Sequence, residues 1–255
     1  MSFAICQVSV APVRSANTDM AEMVTQLLFG EKVVILEREK KWVKIKADFD
    51  GYEGFVDPKQ LFELSENEYQ QLNMNFYTTD AFNLAVENDL PLTLPLGAVL
   101  PNYNQNTFGF GGKEFQYLGE VIQAVKVKKL LIDFANLYLN VPYLWGGKST
   151  FGIDCSGLVQ QVYKLCGYKL PRDASQQAEV GEVLSFLEET EPGDLAFFDN
   201  QDGKIIHVGI VLEYGKIIHA HGKVRIDPLD TNGIFNTDSQ EYSHKLRFLK
   251  RIIPN

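Results

Sequence analysis

The hydrophobic spacing of this chain changes period twice, and the order of those changes restricts the fold more than any other feature. Up to about residue 125 the apolar residues alternate in short runs broken by turn residues. From about 126 to 166 they recur at helical spacing, and beyond that they alternate again. Helices that precede strands, instead of interleaving with them, give an α+β domain. A parallel nucleotide-binding sheet is therefore not expected, and the glycine pairs form no phosphate loop.

Within the first stretch, ICQVSVAPVR, KVVILEREKKWVKIK and YEGFV are β-rich runs. Val43, Ile45 and Ala47 alternate with Trp42, Lys44 and Lys46, as in a strand with one buried face, and Asp50-Gly51 is a hairpin turn signal. Residues 1–63 read as a small barrel. Ser65 and Glu68 then form a capping-box pattern, and Pro91, Pro95 and Pro101 allow only short strands around loops. Residues 64–125 read as a second, degenerate β unit. A third domain, 126–255, opens with Leu130, Leu131, Phe134, Leu137 and Tyr138 on one helical face, a helix that Val141-Pro142 ends. A second helix carries Leu158, Val159, Val162, Tyr163 and Cys166 and stops at Gly167. DLAFFD, KIIHVGIVLEYGKIIHAHGKVRID and HKLRFLKRII follow as strands.

The 24 Lys and Arg against 33 Asp and Glu leave a net charge of −9. That balance disfavours sequence-independent attraction to nucleic acid or an anionic membrane. No apolar run approaches the roughly 18–20 residues of a membrane span. The opening residues carry neither a basic region nor a long apolar core of the signal-peptide kind, so the expected location is cytoplasmic, or periplasmic if a signal was removed. Three cysteines, Cys6, Cys155 and Cys166, suit a reducing compartment or a single functional thiol better than a disulfide framework. Cys166 falls on an apolar helical stripe and reads as core.

Cys155 follows Asp154 at the expected first turn of the second helix, where unpaired N–H groups and the helix dipole lower a thiol pKa. The same placement fits a small buried cysteine behind an N-cap aspartate. A nucleophile needs a base, and of the four histidines three, His207, His219 and His221, lie on one hairpin. A three-residue loop Glu213-Tyr214-Gly215 places His219 opposite Gly209 with His207 as its diagonal neighbour on the same face. A two-residue loop would separate them. In the odd-loop register His207 is the base and His219 holds its far ring nitrogen, with His221 as the alternative orienting residue. His219-x-His221 could also contribute to a zinc site, but no carboxylate or cysteine falls at a ligand spacing, so neither metal nor cofactor is expected.

VPYLWGG, DCSGLVQQVY, LPRDASQQ, EPGDLAFF, HVGIVLE and IIHAHG resemble, in that order, the NlpC family of papain-like cell-wall cysteine peptidases. VTQLLFGE, WVKIK and DGYEGFV resemble a bacterial SH3-like barrel of the kind fused to them. The resemblance implies a papain-like α+β catalytic domain preceded by one or two SH3-like barrels. It implies Cys155 as nucleophile, His207 as base, His219 as orienting residue and Tyr143 beside the nucleophile. It further implies cleavage of murein peptides between γ-D-glutamate and a diamino acid, releasing L-Ala-γ-D-Glu. Asp154, Ser156 and Asp173 match cleft residues of the family, and Glu22 and Tyr52 match barrel residues that face the free amine. Ala174 departs from relatives with a serine after the aspartate. The murein peptide is the only partner implied. A papain-like amidase or acyltransferase is the alternative enzyme class, and a wall-binding module with an inactive peptidase is the non-enzymatic alternative.

Overall fold

The computed structural model describes residues 2–254, which divide into two compact units. Residues 2–125 with 145–151 form unit 1, and residues 126–144 with 152–254 form unit 2. No helix among the described residues is long and apolar enough to cross a membrane.

Unit 1 begins with β1 (Ser2–Cys6), β2 (Val10–Arg14), β3 (Met23–Leu28), β4 (Lys32–Arg38), β5 (Val43–Ala47), β6 (Glu53–Val56) and β7 (Leu61–Leu64). They form one sheet in the order β3-β2-β6-β5-β4-β1-β7. The alternation in β5 has the expected effect: Val43, Ile45 and Ala47 join a core with Ala4, Val13, Leu27 and Val33. Gly51, at φ +75°, closes the β5–β6 turn in a conformation that glycine adopts without strain. Helix α1 (Glu66–Gln71) starts at the predicted capping box, in which Ser65 and Glu68 satisfy each other's backbone N–H.

Six further strands follow: β8 (Phe76–Thr78), β9 (Phe82–Glu87), β10 (Leu90–Pro95), β11 (Thr107–Phe110), β12 (Lys113–Tyr117) and β13 (Val121–Gln123). They make a four-stranded sheet, β10-β9-β12-β11, and the pair β13-β8. Ile5 from the first sheet and Phe29 from the turn after β3 share one apolar cluster with Phe108, Phe110, Phe115 and Tyr117 from the second. Phe108 and Phe115 stack with centroids 4.9 Å apart, and Phe29 meets both edge-on. This continuous core is why residues 1–63 and 64–125 fall in one unit. The loop 145–151, drawn with the third domain from sequence, also belongs to this unit.

Unit 2 opens with α2 (Leu131–Leu137), preceded by a single 3₁₀ turn. The helix stops four residues before the expected Val141-Pro142, and Asn140 turns the chain at φ 67°. Leu131, Phe134, Ala135 and Tyr138 are buried, whereas Leu137 is exposed. Next come β15 (Gly152–Ile153), α3 (Cys155–Leu165) and α4 (Ala174–Gln177), numbered with Lys148–Ser149 of unit 1 as β14. The closing sheet holds β16 (Glu182–Leu184), β17 (Leu195–Asp199), β18 (Ile205–Leu212), β19 (Lys216–His221), β20 (Lys223–Pro228), β21 (Gly233–Asn236) and β22 (Glu241–Arg251). Its order is β16-β22-β17-β18-β19-β20, with β21 paired to β22. These pairings are antiparallel.

Helix α3 packs on β18 and β19 with α2 and α4 beside it, so all eleven of its residues are buried. Among its polar members, Gln160 donates to the Leu170 carbonyl at 3.1 Å. The helix ends as expected, with Gly167 at φ 77°.

Candidate active site

Cys155 is the first residue of α3, and the helix starts there because Asp154 caps it: Asp154 Oδ1 accepts the Gly157 N–H at 2.7 Å. Arg172 holds the cap from the other side. Its two terminal nitrogens donate to the Asp154 carboxylate at 3.0 and 2.6 Å, and one also donates to Ser156 Oγ at 2.9 Å. Arg172, Asp154 and Ser156 are all buried. This geometry pins the residues on both sides of the thiol.

The helix start does not, however, lower the thiol pKa as expected. Burial pushes Cys155 up to about 12, assisted by the negative charge of Asp154. The Val208 backbone N–H, the Arg172 charge and the Ser156 backbone act in the opposite direction but are outweighed. The hydrogen bond to the Val208 amide places the thiol against β18, one residue from His207.

The β18–β19 hairpin has the predicted three-residue loop. Leu212 pairs with Lys216 and Ile210 with Ile218, leaving Glu213, Tyr214 and Gly215 as the loop. Both Tyr214 and Gly215 have positive φ, at 60° and 63°. The register puts His219 across from Gly209, where an added Cβ would lie 3.0 Å from the His219 Cβ and 2.7 Å from the Ile217 side chain. Only glycine leaves this room. His207 Nε2 and His219 Nδ1 are 2.9 Å apart, and both rings are buried.

The far nitrogen of His219 is also engaged: Nε2 lies 3.0 Å from Asp227 Oδ2. Asp227 is itself clamped. Arg225 Nε donates to Oδ2 at 2.6 Å and Arg225 Nη2 to Oδ1 at 2.9 Å, while Thr237 donates its N–H and hydroxyl to Oδ1 at 3.4 and 3.3 Å. Although burial raises the Asp227 pKa, the hydrogen bonds from His219 and Arg225 hold it well below the usual carboxylate range. Burial holds His207 well below 6.5, reinforced by the neighbouring histidines, and lowers His219 despite the opposing influence of Asp227.

His244, on β22, completes the cluster. Its ring stacks on His207 with centroids 4.0 Å apart and planes 20° from parallel, and its Nδ1 lies 2.9 Å from Ser243 Oγ. Burial and the charges of His219 and His221 bring it to about 3. One nitrogen each of His207, His219 and His244 lies within 4.8 Å of the others. Two ligands of one tetrahedral zinc stand about 3.3 Å apart, from metal–nitrogen bonds of roughly 2.0–2.1 Å. The 2.9 Å spacing of His207 and His219 is that of a hydrogen bond. The parallel rings of His207 and His244 aim their in-plane lone pairs alongside each other, not at a common point. This arrangement suits a shared proton better than an ion.

Tyr143 is half-buried, with its N–H on the Gly222 carbonyl at 2.9 Å. Burial raises its phenol to about 12, and the charges of Cys155 and Asp154 add to the shift. Asp173 precedes α4, and its N–H donates to Gln176 Oε1 at 3.3 Å. Glu22 and Tyr52 belong to unit 1. There Glu22 Oε1 accepts the Trp145 indole N–H at 2.6 Å, and the Tyr52 N–H donates to Asp50.

Residues 140–240 match the NlpC/P60 family, and residues 13–61 match the bacterial dipeptidyl-peptidase SH3 domain. The chain is 32% identical to the γ-D-glutamyl-L-lysine dipeptidyl-peptidase of Bacillus subtilis (strain 168) over 77% of its own length and 71% of the relative's. The chain belongs to the NlpC/P60 family. A Bacillus cereus protein of the same name is 27% identical over 91% of this chain and 77% of that one. The crystal structure of an NlpC/P60 family protein from Bacillus cereus ATCC 10987 superposes with a TM-score of 0.84 at 23% identity, covering 99% of this chain and all of the other.

Three residues of this NlpC/P60 site were passed over in the sequence reading. Asp227 was accessible to the same diagonal rule that related His207 to His219: Arg225 pairs directly with His219, and Asp227 lies two residues further along the same face. Arg172 stands beside Asp173 in the quoted LPRDASQQ block, but only the fold reveals that it reaches Asp154. His244 carries no local signal; it arrives on the last long strand.

Proposed function

We propose that the protein is a cysteine peptidase that hydrolyses the bond between γ-D-glutamate and a diamino acid in murein peptides. It releases L-Ala-γ-D-Glu from peptides with a free N-terminal L-Ala. The observation that carries this reading is the Cys155 thiol against the Val208 amide of β18, the strand on which the preceding residue, His207, has its Nε2 held by His219. The sequence similarity to γ-D-glutamyl-L-lysine dipeptidyl-peptidases supplies the substrate class. On this reading unit 2 is a papain-like α+β fold, and unit 1 is an SH3-like barrel followed by a degenerate second one.

With Nε2 occupied, His207 Nδ1 is the nitrogen left to act as base. The Cys155 proton moves to it as Sγ bonds to the γ-carbonyl carbon. Because burial favours both the neutral thiol and the neutral imidazole, transfer accompanies attack instead of preceding it. The resulting oxyanion is held by the Cys155 N–H, which has no intrahelical acceptor, and by the Tyr143 hydroxyl. Collapse breaks the C–N bond, and the leaving amine takes the proton from His207. Water then attacks the thioester, giving a proton to His207, and the second collapse returns it to Cys155 with release of the dipeptide acid. Asp154 and Ser156 position the nucleophile through Arg172, and Asp173 is the acid that meets a cationic group of the substrate.

The test is mass-spectrometric digestion of L-Ala-γ-D-Glu-L-Lys beside its N-acetylated form, with Cys155→Ala as blank. Cleavage of the free peptide alone is expected. Equal cleavage of both would remove the free-terminus requirement, and cleavage of neither would overturn the proposal in favour of an amidase, acyltransferase or binding role.

A further inference from the structure

We propose that Asp227 is a positioning residue that determines which nitrogen of His207 is free to act as base, through a chain of hydrogen bonds with only one consistent direction. The inference deepens the peptidase reading and rests on it for its consequence, although not for its geometry.

The direction follows from donor and acceptor counts. Asp227 lies between Arg225, whose Nε and Nη2 can only donate, and the Thr237 N–H, which also only donates. The carboxylate therefore stays an acceptor and takes a hydrogen bond from His219 Nε2–H across 3.0 Å. A neutral imidazole carries one N–H, so His219 Nδ1 is bare. The bare nitrogen must accept from His207 Nε2–H across 2.9 Å. That assigns the single proton of His207 to Nε2 and leaves Nδ1 with a lone pair. The same direction suits the imidazolium that forms during attack, because its Nε2–H still finds an acceptor. Asp227 thus acts on His207 through His219, without touching substrate.

Asparagine at 227 would reverse the chain. Its oxygen is best placed at the Oδ1 position, where two obligatory donors, Arg225 Nη2–H and the Thr237 N–H, converge, against the single one, Arg225 Nε–H, that the NH₂ group then meets at the Oδ2 position. Its NH₂ then occupies the Oδ2 position and donates to His219 Nε2. His219 becomes protonated on Nδ1 and donates to His207 Nε2, and the proton of His207 is driven to Nδ1. The base nitrogen is then occupied. Alanine at 227 removes the acceptor without imposing the opposite tautomer, so the productive arrangement remains accessible.

A role in packing alone predicts that the near-isosteric Asp227→Asn is milder than Asp227→Ala. The tautomer role predicts the reverse. Two measurements decide the matter. Long-range ¹H–¹⁵N spectra of histidine-labelled protein at neutral pH should show wild-type His207 and His219 protonated on Nε2, and both protonated on Nδ1 in Asp227→Asn. On L-Ala-γ-D-Glu-L-Lys, Asp227→Asn should lose about 10³- to 10⁴-fold in kcat/KM, as an imposed wrong tautomer does in a serine-protease triad, with Asp227→Ala losing less. Wild-type His219 protonated on Nδ1, or Asp227→Ala as impaired as Asp227→Asn or more so, would overturn the inference. If Asp227→Asn fails to fold, the wild-type spectrum still decides it. If the wild-type enzyme cleaves no γ-glutamyl peptide, the peptidase reading falls, whereas the tautomer assignment is judged on the spectra.

Discussion

Mild acid should loosen unit 2 by a calculable amount. His207, His219 and His244 are each held below the ordinary histidine value of 6.5, mainly by burial. Below that value the unfolded chain takes up protons that the folded chain binds less readily, so unfolding is favoured as pH falls. Stability is full above about 6.5 and declines beneath it. One pH unit below the unfolded value, a histidine that stays neutral costs about 1.4 kcal/mol; His207 and His244 together cost about 3 kcal/mol, and His219 adds to this in the same direction. Asp227 adds nothing in this window, because its depressed pKa makes its contribution complete above the ordinary aspartate range. Against a typical domain stability of roughly 5–15 kcal/mol the loss is large. Native-state hydrogen exchange of the β17–β19 amides, corrected for intrinsic rates at about pH 7.5 and about pH 5.5, reads the opening free energy of this sheet directly. His244→Gln should reduce the loss by about 1.4 kcal/mol. Equal opening free energies at the two pH values would refute the reasoning, since they would mean that the cluster already carries its protons in the folded state.

Arg172→Met should destabilise unit 2 by about 3–5 kcal/mol, because it leaves the buried Asp154 carboxylate without its cation; adding Asp154→Asn should recover part of that, both read as urea midpoints. Tyr143→Phe should lower kcat on L-Ala-γ-D-Glu-L-Lys by up to about 10²- to 10³-fold, the effect of removing one oxyanion donor, with KM little changed. An unchanged kcat would remove Tyr143 from the oxyanion site. Gly209→Ala, whose new Cβ would press on Ile217 and the His219 backbone-proximal carbon, should cost both stability and activity, read as Tm and kcat/KM.

How far the sequence could be read depended on the range of the interactions involved. The alternation in Val43–Ala47, the capping box at Ser65 and the stop at Gly167 are local effects, and each appears where the residue pattern put it. The histidine pair was legible too, since strand register propagates from loop length: three residues between Leu212 and Lys216 are enough to bring His207 and His219 onto one face. The thiol pKa differs from the expectation for a helix start because neighbours along the chain do not set it alone. The burial that dominates it arises only when the chain folds and brings segments such as β18, more than fifty residues away, against the thiol. Helix α3 has an apolar stripe in sequence, yet its polar side is equally enclosed, because α2 and α4 flank it where it lies on the sheet. Leu137 matched the helical stripe of α2 but lies exposed, and Ala135 is buried in that helix instead. Arg172 and His244 meet their partners only through tertiary packing, which no spacing rule reaches.

The central claim, that Cys155 attacks a γ-D-glutamyl carbonyl, is tested most directly by catching the covalent intermediate. Protein quenched in acid during turnover of L-Ala-γ-D-Glu-L-Lys should carry one L-alanyl-γ-D-glutamyl acyl group per chain, located by peptide mapping on the fragment that contains Cys155. The group should be labile to hydroxylamine, as a thioester is, and absent from Cys155→Ala. Turnover without any acyl-protein, or an acyl group that persists in Cys155→Ala, would contradict the account.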